Sequence, residues 1–473
     1  MDESNAQVFI GIGGYPQKFS ISDLIAHRLL QFFIFLAFLT ILAGKALFGT
    51  THLGFLFAYG LVVTLVILVN FFFAFVVYKD PYHTAQKHLA ENLPEKEIET
   101  FVSCMVAVRN EEGNIARCID TLLTQSYPHK EIIIVNDAST DNTLEILQNY
   151  AAEKKIILIN LEENVGKKRA LGAAMRIARG EIFAFTDSDS IWAPDVLDKV
   201  ITILTAYPDV GAISGHSRVL NGNDNIITKI QDTWYEGQYS IRKAFESVFG
   251  VVSCVSGPLA VFRREAVFNF VPAWENDEFL GQEFRYATDR MMTGYVLGSK
   301  AVGEKLKEKY RGSYFVDSVD YPTFDWKIVY CEAARAMTIV PDTFSKVLRQ
   351  QIRWKKSFIR NIFFTGSFYW QKPFLPALFY YLHIIFVTIG PIVVIRHLAL
   401  LPLQGNILAP IFYLSGIIFV GLMFGLGYWM RDQTEQKRKW IYRPLMSLMS
   451  TLIFSWLIFY SAVTITKMKW YRG

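Results

Sequence analysis

The side chains best suited to chemistry in this 473-residue chain lie in three short runs. "TDSDS" at 186–190 ends a hydrophobic stretch and sets Asp187 and Asp189 two residues apart. Carboxylates so spaced can address one hard divalent cation of the magnesium type, which takes one or two of them and fills its shell with phosphate oxygens and water. Such an ion would neutralise a leaving diphosphate. Asp and Ser also build ordinary turns, so the motif alone does not decide. Two neighbours strengthen the metal reading. Asp137 ends another hydrophobic run, and in the cationic "NVGKKRA" at 164–170 Lys167 is placed to meet phosphate, unless it is only a solvated lysine at a helix start. The second run, "ATDR" at 287–290, carries Asp289 ahead of the apolar "MMTGYVLG". A positioned carboxylate can take the proton of an attacking hydroxyl; the same residue could simply favour the positive end of a helix. The third run, "QQIRW" at 350–354, puts Gln350, Arg353 and Trp354 shortly before an apolar block that begins at 373. By spacing alone, Arg353 and Trp354 read as anchors at a membrane boundary.

Alternating elements must position these groups. "FVSCMVAV" (101–108), "EIIIVNDAS" (131–139), "IILINL" (156–161) and "EIFAFTDSD" (181–189) read as strands, with helical patterns between them. Short apolar runs separated by amphipathic helices predict a mostly parallel sheet covered on both faces. In such sheets ligands bind beyond the carboxyl ends of the strands. The polar residues there are Arg109 to Glu111, Asn136 and Asp137, residues 164–169, Asp187 and Asp189. No glycine-rich phosphate loop is present: "GIGGYP" at 11–16 has no strand before it and reads as tail.

Composition adds a membrane. With 52% hydrophobic and 19% charged residues, the chain is too apolar for an ordinary soluble enzyme. The excess sits in blocks at 29–49, 53–78, 373–395, 407–430 and 445–466, each near the about 20 residues that cross a hydrocarbon core. The first is too long, and wrongly flanked, for a cleaved signal peptide. The expected division is a tail at 1–28, two transmembrane helices in 29–78, a soluble domain with interfacial helices at 79–372, about three transmembrane helices in 373–466, and a basic tail at 467–473. The interfacial candidates are 354–370 and 226–252, although core packing explains the second equally well. Five Lys/Arg residues in 431–443 predict a cytoplasmic loop, and hence a cytoplasmic middle domain. Five crossings would then put the basic C-terminus outside, against the same rule. The four cysteines all lie within 104–331 without a CxxC pair, which suggests reduced thiols rather than a disulfide framework or zinc site.

"VAVRNEE", "IIIVNDASTDNT", "NVGKKRA", "TDSD", "SCVSGPLAVFRRE", "ATDRMMT" and "QQIRW" follow one another in an order that resembles processive family-2 glycosyltransferases. The set is most similar to hyaluronan synthases and their chitin-oligomer-synthase relatives. It covers roughly residues 100–360 and the flanking apolar blocks. The resemblance implies an α/β GT-A fold, Rossmann-like with a mostly parallel sheet, combined with an α-helical transmembrane domain. It also implies a multi-pass enzyme of the plasma membrane that uses UDP-sugar donors, a growing polysaccharide acceptor and Mg²⁺ or Mn²⁺. Membrane lipid surrounds it, a monomer suffices, and no nucleic acid is involved.

Residue roles follow from the same resemblance. Ala107, Asp137, Lys167, Asp187, Gln350 and Arg353 fall at UDP-sugar positions, with Asp137 near the uracil ring. Asp189 matches the metal ligand and Asp289 the general base. Ser256, Gly257 and Pro258 match the segment lining the sugar, and Trp354 matches the acceptor platform. A flat indole suits the C–H face of a sugar. The basic C-terminal tail corresponds to a gating segment. Departures are also visible: Arg109 replaces an aromatic, Asn136 stands for a first aspartate, no acid precedes Asp289 in "ATDR", and His216 stands where an aspartate is usual. His216 is expected to be a hydrogen-bonded wall residue. These changes leave glycosyl transfer intact and put the identity of the sugars in doubt.

Overall fold

A computed structural model describes residues 54–92, 99–431 and 435–467. The N-terminal tail, the apolar block at 29–49 and the tail beyond Lys467 lie outside these residues.

The chain begins with helices α1 (Gly54–Phe72) and α2 (Pro81–Asn92), then alternates β1 (Val102–Val108), α3 (Ile115–Leu123), β2 (Lys130–Asp137), α4 (Thr143–Ala152), β3 (Ile157–Leu161), α5 (Lys167–Ile177) and β4 (Ile182–Phe185). β5 (Ile191–Trp192), α6 (Val196–Ala206), β6 (Val210–Val219), α7 (Ile226–Gly237), α8 (Ala244–Val248), β7 (Ala260–Arg263) and the small hairpin β8 (Glu278–Phe279) and β9 (Gln282–Glu283) follow. The elements that follow are α9 (Thr288–Lys309), β10 (Lys327–Thr338) and α10 (Phe344–Phe364). Two apolar helices, α11 (Phe374–Ile395) and α12 (Ala409–Arg431), and the shorter α13 (Arg443–Met449) and α14 (Leu457–Val463) complete the described chain.

The main sheet has the order β3-β2-β1-β4-β7-β6-β10-β5. β1 to β4 pair in parallel, as does β6 with β10, while β7 runs antiparallel to both β4 and β6. Side chains alternate across a strand, and here each face meets its own core. Cys104, Val106, Ile132 and Ile134 face a cluster with Ile119 of α3 and Val200 of α6. Met105, Ile133 and Val135 face another, with Ala174 of α5 and Val296 of α9. Each fully buried Ile or Phe contributes about 1.5–3 kcal/mol, which is why the runs are apolar without interruption.

Strand direction decides where the polar ends collect. β4 and β6 point the same way, and β7 enters between them from the opposite end, with Ala260 registered against both Phe185 and Ser214. The ends of β1, β2, β4 and β10 therefore share one edge with the start of β7. The sequence expectation listed the first strands of this edge; β6, β7 and β10 complete it.

Among the described residues, three helical segments are long and apolar enough to cross a membrane: Gly60–Glu91, Phe374–Leu403 and Ala409–Arg431. The block at 445–466 is a pair, Arg438–Phe454 and Leu457–Val463, bent by 41° at its break. α10 starts ten residues before the expected interfacial helix at 354 and ends at Phe364, where short 3₁₀ turns lead into α11. The segment at 226–252 is helical with a π turn, Gln238–Lys243, and buries Ile230, Thr233, Glu236 and Tyr239. Packing is its role in this structure.

A buried charge network joins the sheet-bearing part of the chain to α12 and the turn after it. Arg218 of β6 donates to both oxygens of Asp232 at 3.1 and 3.2 Å, and Lys439 Nζ donates to Asp232 Oδ2 at 2.9 Å. Arg431, at the end of α12, pairs with Glu332 of β10. Burial works to raise the Asp232 carboxyl, but Arg218 and Lys439 outweigh it and hold it below the ordinary range. Two basic residues of the 431–443 stretch thus pair directly with Asp232 of α7 and Glu332 of β10.

Candidate active site

At the shared strand edge, Lys167 Nζ at the start of α5 bonds Asp187 Oδ1. Gly166 caps that helix at φ +85°, a conformation in which side chains are strained. Asp137, ending β2, accepts from Asn164 Nδ2 at 2.6 Å and from the N–H groups of Val165 and Gly166 at 2.8 and 3.0 Å. It thereby fixes the loop that delivers Lys167. Burial raises the Asp137 carboxyl in spite of these bonds. Burial would lower Lys167, yet Asp187, with Asp289 and Asp189 behind it, holds its ammonium above the usual lysine value.

Asp189 accepts from Thr338 Oγ1, at the end of β10, at 3.2 Å. Burial and the charge of Asp187 push its carboxyl up to about 6. Two close carboxylates that resist joint ionisation fit a divalent cation, which relieves that repulsion. Among the described residues no group of three or more His, Cys, Asp or Glu side chains could hold a metal. The donor set therefore suits an ion that completes its shell with phosphate oxygens and water.

Residues 256–258 lead into β7 and cross this edge. Gly257 N–H donates to Asp289 Oδ2 at 2.9 Å, while a Cβ at Gly257 would stand 2.7 Å from Asp187 Oδ2. Glycine here allows the strap to touch both carboxylates. Pro258 O accepts from Trp192 Nε1 at 2.7 Å and Thr186 Oγ1 at 3.0 Å, and Ser256 Oγ accepts from Lys243 Nζ at 2.6 Å. Ala107, near the end of β1, is half-buried beside the same sheet core.

Asp289 occupies the first turn of α9, and Ala287 before it takes the left-handed conformation at φ +61°. Burial raises the Asp289 carboxyl, and Asp187 adds to the rise against the pull of Lys167 and Lys243. α10 holds this turn. Ala287 N–H donates to Ser357 Oγ at 3.1 Å, and Ser357 Oγ donates to the Arg353 carbonyl at 2.9 Å. The base candidate and the "QQIRW" helix are thus mechanically joined. Gln350 Oε1 is buried and has no hydrogen-bond partner among the described residues. Trp354 packs 5.4 Å from Trp234 and 6.5 Å from Tyr235, ring centre to ring centre. Arg353 lies within electrostatic reach of Tyr235 and Tyr286.

Lys167, Asp187, Asp189, Asp289 and the 256–258 strap converge. Asp137 stands one loop away, and Trp354 sits on a wall with α7. His216 bonds Tyr330 through Nδ1 and lies 3.2 Å from Glu236, a hydrogen-bonded wall position. Sequence reading missed Lys243, Thr338, Trp234 and Tyr235. Lys243 bonds Ser214 Oγ at 2.8 Å as well as Ser256, and its ammonium sits 3.9 Å from the Tyr239 ring centre. Nothing in "SIRKAF" marks this lysine, because its partners come from β6 and the strap.

Residues 103–268 match the Glycosyl transferase family 2 model. They form a family-2 glycosyltransferase domain, and its mostly parallel sheet is of the GT-A type; the protein is a glycosyltransferase. Over most of its length it is related to hyaluronan synthase. It is 25% identical to that of Streptococcus pyogenes over 448 residues, 93% of this chain and 95% of the other. An N-acetylglucosaminyltransferase of Rhizobium meliloti (strain 1021) is 30% identical over 266 residues, 55% of this chain and 56% of its own. Among solved structures, a mannosyltransferase, PcManGT from Pyrobaculum calidifontis in complex with GDP-Man and Mn2+, aligns with a TM-score of 0.48 at 19% identity, covering 84% of this chain and 99% of that one.

Proposed function

We propose that the protein is a membrane-embedded, processive, inverting polymerase of UDP-sugars, of the hyaluronan synthase type, using UDP-GlcNAc and UDP-GlcA. The observation that carries the reading is the single buried Asp289, held by the Gly257 N–H across from the Lys167–Asp187–Asp189 group. The acceptor hydroxyl attacks the anomeric carbon and gives its proton to Asp289. The new C–O bond forms as the bond to the diphosphate oxygen breaks, and UDP leaves. One carboxylate serving as base, with the neighbouring Asp187 held by Lys167, fits inversion. Mg²⁺ or Mn²⁺, held by Asp189 with Asp187 adjacent, would supply positive charge to the diphosphate.

Lys167 and Arg353 meet the diphosphate side, and the unpartnered Gln350 oxygen awaits a donor from the substrate. Asp137 and Ala107 border the nucleoside. Residues 256–258 line the donor sugar, and Trp354 forms the acceptor platform with Trp234 and Tyr235 beside it. The helix bearing Trp354 leads within a few turns into α11, which supports extrusion of product through the membrane. The domain division from the sequence, a cytoplasmic catalytic domain in a multi-pass plasma-membrane protein, and action as a monomer belong to this reading.

The test is to incubate detergent-purified protein with single and paired UDP-sugars and to size the product. Polymer that requires both UDP-GlcNAc and UDP-GlcA is the expected result. Polymer from UDP-GlcNAc alone would replace the two-sugar assignment with a chitin-like one, the second reading favoured by the Rhizobium relative. Short glycolipids would overturn processivity.

A further inference from the structure

Lys167 and Lys168 are neighbours at the start of α5 with different partners. Lys167 bonds Asp187, whereas Lys168 Nζ donates to Asp277 Oδ2 at 2.8 Å and to the Phe284 carbonyl at 2.9 Å. Asp277 and Phe284 flank the β8–β9 hairpin, and the Phe284 N–H closes it on the Asp277 carbonyl at 2.7 Å. Lys168 therefore grips both ends of a hairpin whose exit runs, three residues on, into Ala287 and the Asp289 turn. The other oxygen of Asp277 accepts from Arg360 Nε and Nη2 at 3.1 and 2.6 Å. Arg360 stands on α10 two turns past Arg353, and its guanidinium also covers the Phe279 ring of β8 at 5.4 Å. The side chains of Lys168, Asp277 and Arg360 are only 5%, 1% and 13% exposed.

A buried ionic triad contributes little net stability over apolar side chains of the same volume, so stability does not account for it. What it joins are two halves of the site. The donor half has its own bonds, Lys167 to Asp187 and Asp137 to the 164–166 loop. The acceptor half also has its own: Ala287 N–H to Ser357, and Asn361 Nδ2 to the Arg290 carbonyl at 3.3 Å. Through Asp277, α5 reaches α10. We propose that Lys168, Asp277 and Arg360 are positioning residues that fix the distance between the donor-side group at α5 and the acceptor-side helix α10. The inference rests on the polymerase reading and gives none of the three a contact with substrate. Reacting atoms must be held about 3–3.5 Å apart, a spacing that neither half sets alone. When the triad is cut, donor binding survives and the transfer geometry does not.

The triad carries one net positive charge, so removing either cation leaves a neutral pair and no isolated buried charge. Lys168→Met and Arg360→Met are therefore the variants to compare in purified full-length protein supplied with UDP-GlcNAc and UDP-GlcA. Each should lower kcat by about 10²-fold, the effect of about 1 Å of misplacement, while the UDP dissociation constant stays at the wild-type value. Lys168→Arg, which keeps the charge and the donors, should restore most of the rate. The neutral variant Lys168→Met/Asp277→Leu/Arg360→Met should be no less active than the single variants, since one cut already severs the link, and no more active. Wild-type kcat in either single variant would overturn the inference, as would an equal loss in Lys168→Arg and Lys168→Met. So would UDP affinity falling in step with kcat, which assigns the triad to the donor pocket, or a rate recovered in the neutral variant, which assigns it to stability. A wild type that transfers no sugar from UDP-sugars defeats the polymerase reading itself, whereas an active wild type matched by both single variants defeats only this inference.

Discussion

At the scale of single residues, the carboxylates divide by surroundings. Asp289 has one backbone donor and a raised proton affinity, as suits a base. Asp289→Asn should leave UDP affinity near the wild-type value and lower kcat by about 10²–10⁴; loss of UDP binding instead would show that the residue serves the donor. The raised carboxyl also sets a pH limit. The base works deprotonated, so kcat/KM should fall as pH drops through a value above the about 3.9 of an ordinary aspartate. A profile flat down to that value would remove Asp289 from the chemistry. Gly257→Ala would drive a methyl into Asp187. Activity should fall by about 10² or more, because about 1 Å of misplacement is enough to do so, with the melting temperature shifted far less.

At the scale of elements, α10 supports the start of α9. Ser357→Ala deletes the acceptor for Ala287 N–H, costing about 1–3 kcal/mol if that donor stays dry. Thermal melting and kcat should fall together while UDP affinity holds. Helices and strands differ in how far the sequence disclosed them. β1, β2 and β4 could be read because their apolar runs are buried on both faces, whereas β3, the edge strand, was legible from its apolar run although Ile157 and Asn160 are exposed. β6, "VGAISGHSRV", and β10, "KIVYCEAARAMT", mix small, polar and charged residues. Their strand state depends on each other and on β7, which no local pattern records. The same limit applies in the site. Asp187, Asp189 and Lys167 were legible because they flank readable elements. Lys243 and Thr338 join them only through tertiary pairing. For Trp354, spacing could not separate an anchor from a platform; its packing on Trp234 and Tyr235 gives it a wall of its own.

At the scale of the whole molecule, Asp232 lies between Arg218 of β6 and Lys439 of the loop after α12. Asp232→Ala leaves both cations facing a dry interior and should cost about 3–5 kcal/mol. Unfolding of the purified protein by heat or denaturant measures it; an unchanged midpoint would show that water reaches the network. Because these charges tie the sheet to the turn after α12, that turn cannot be removed without taking one of the two cations from Asp232.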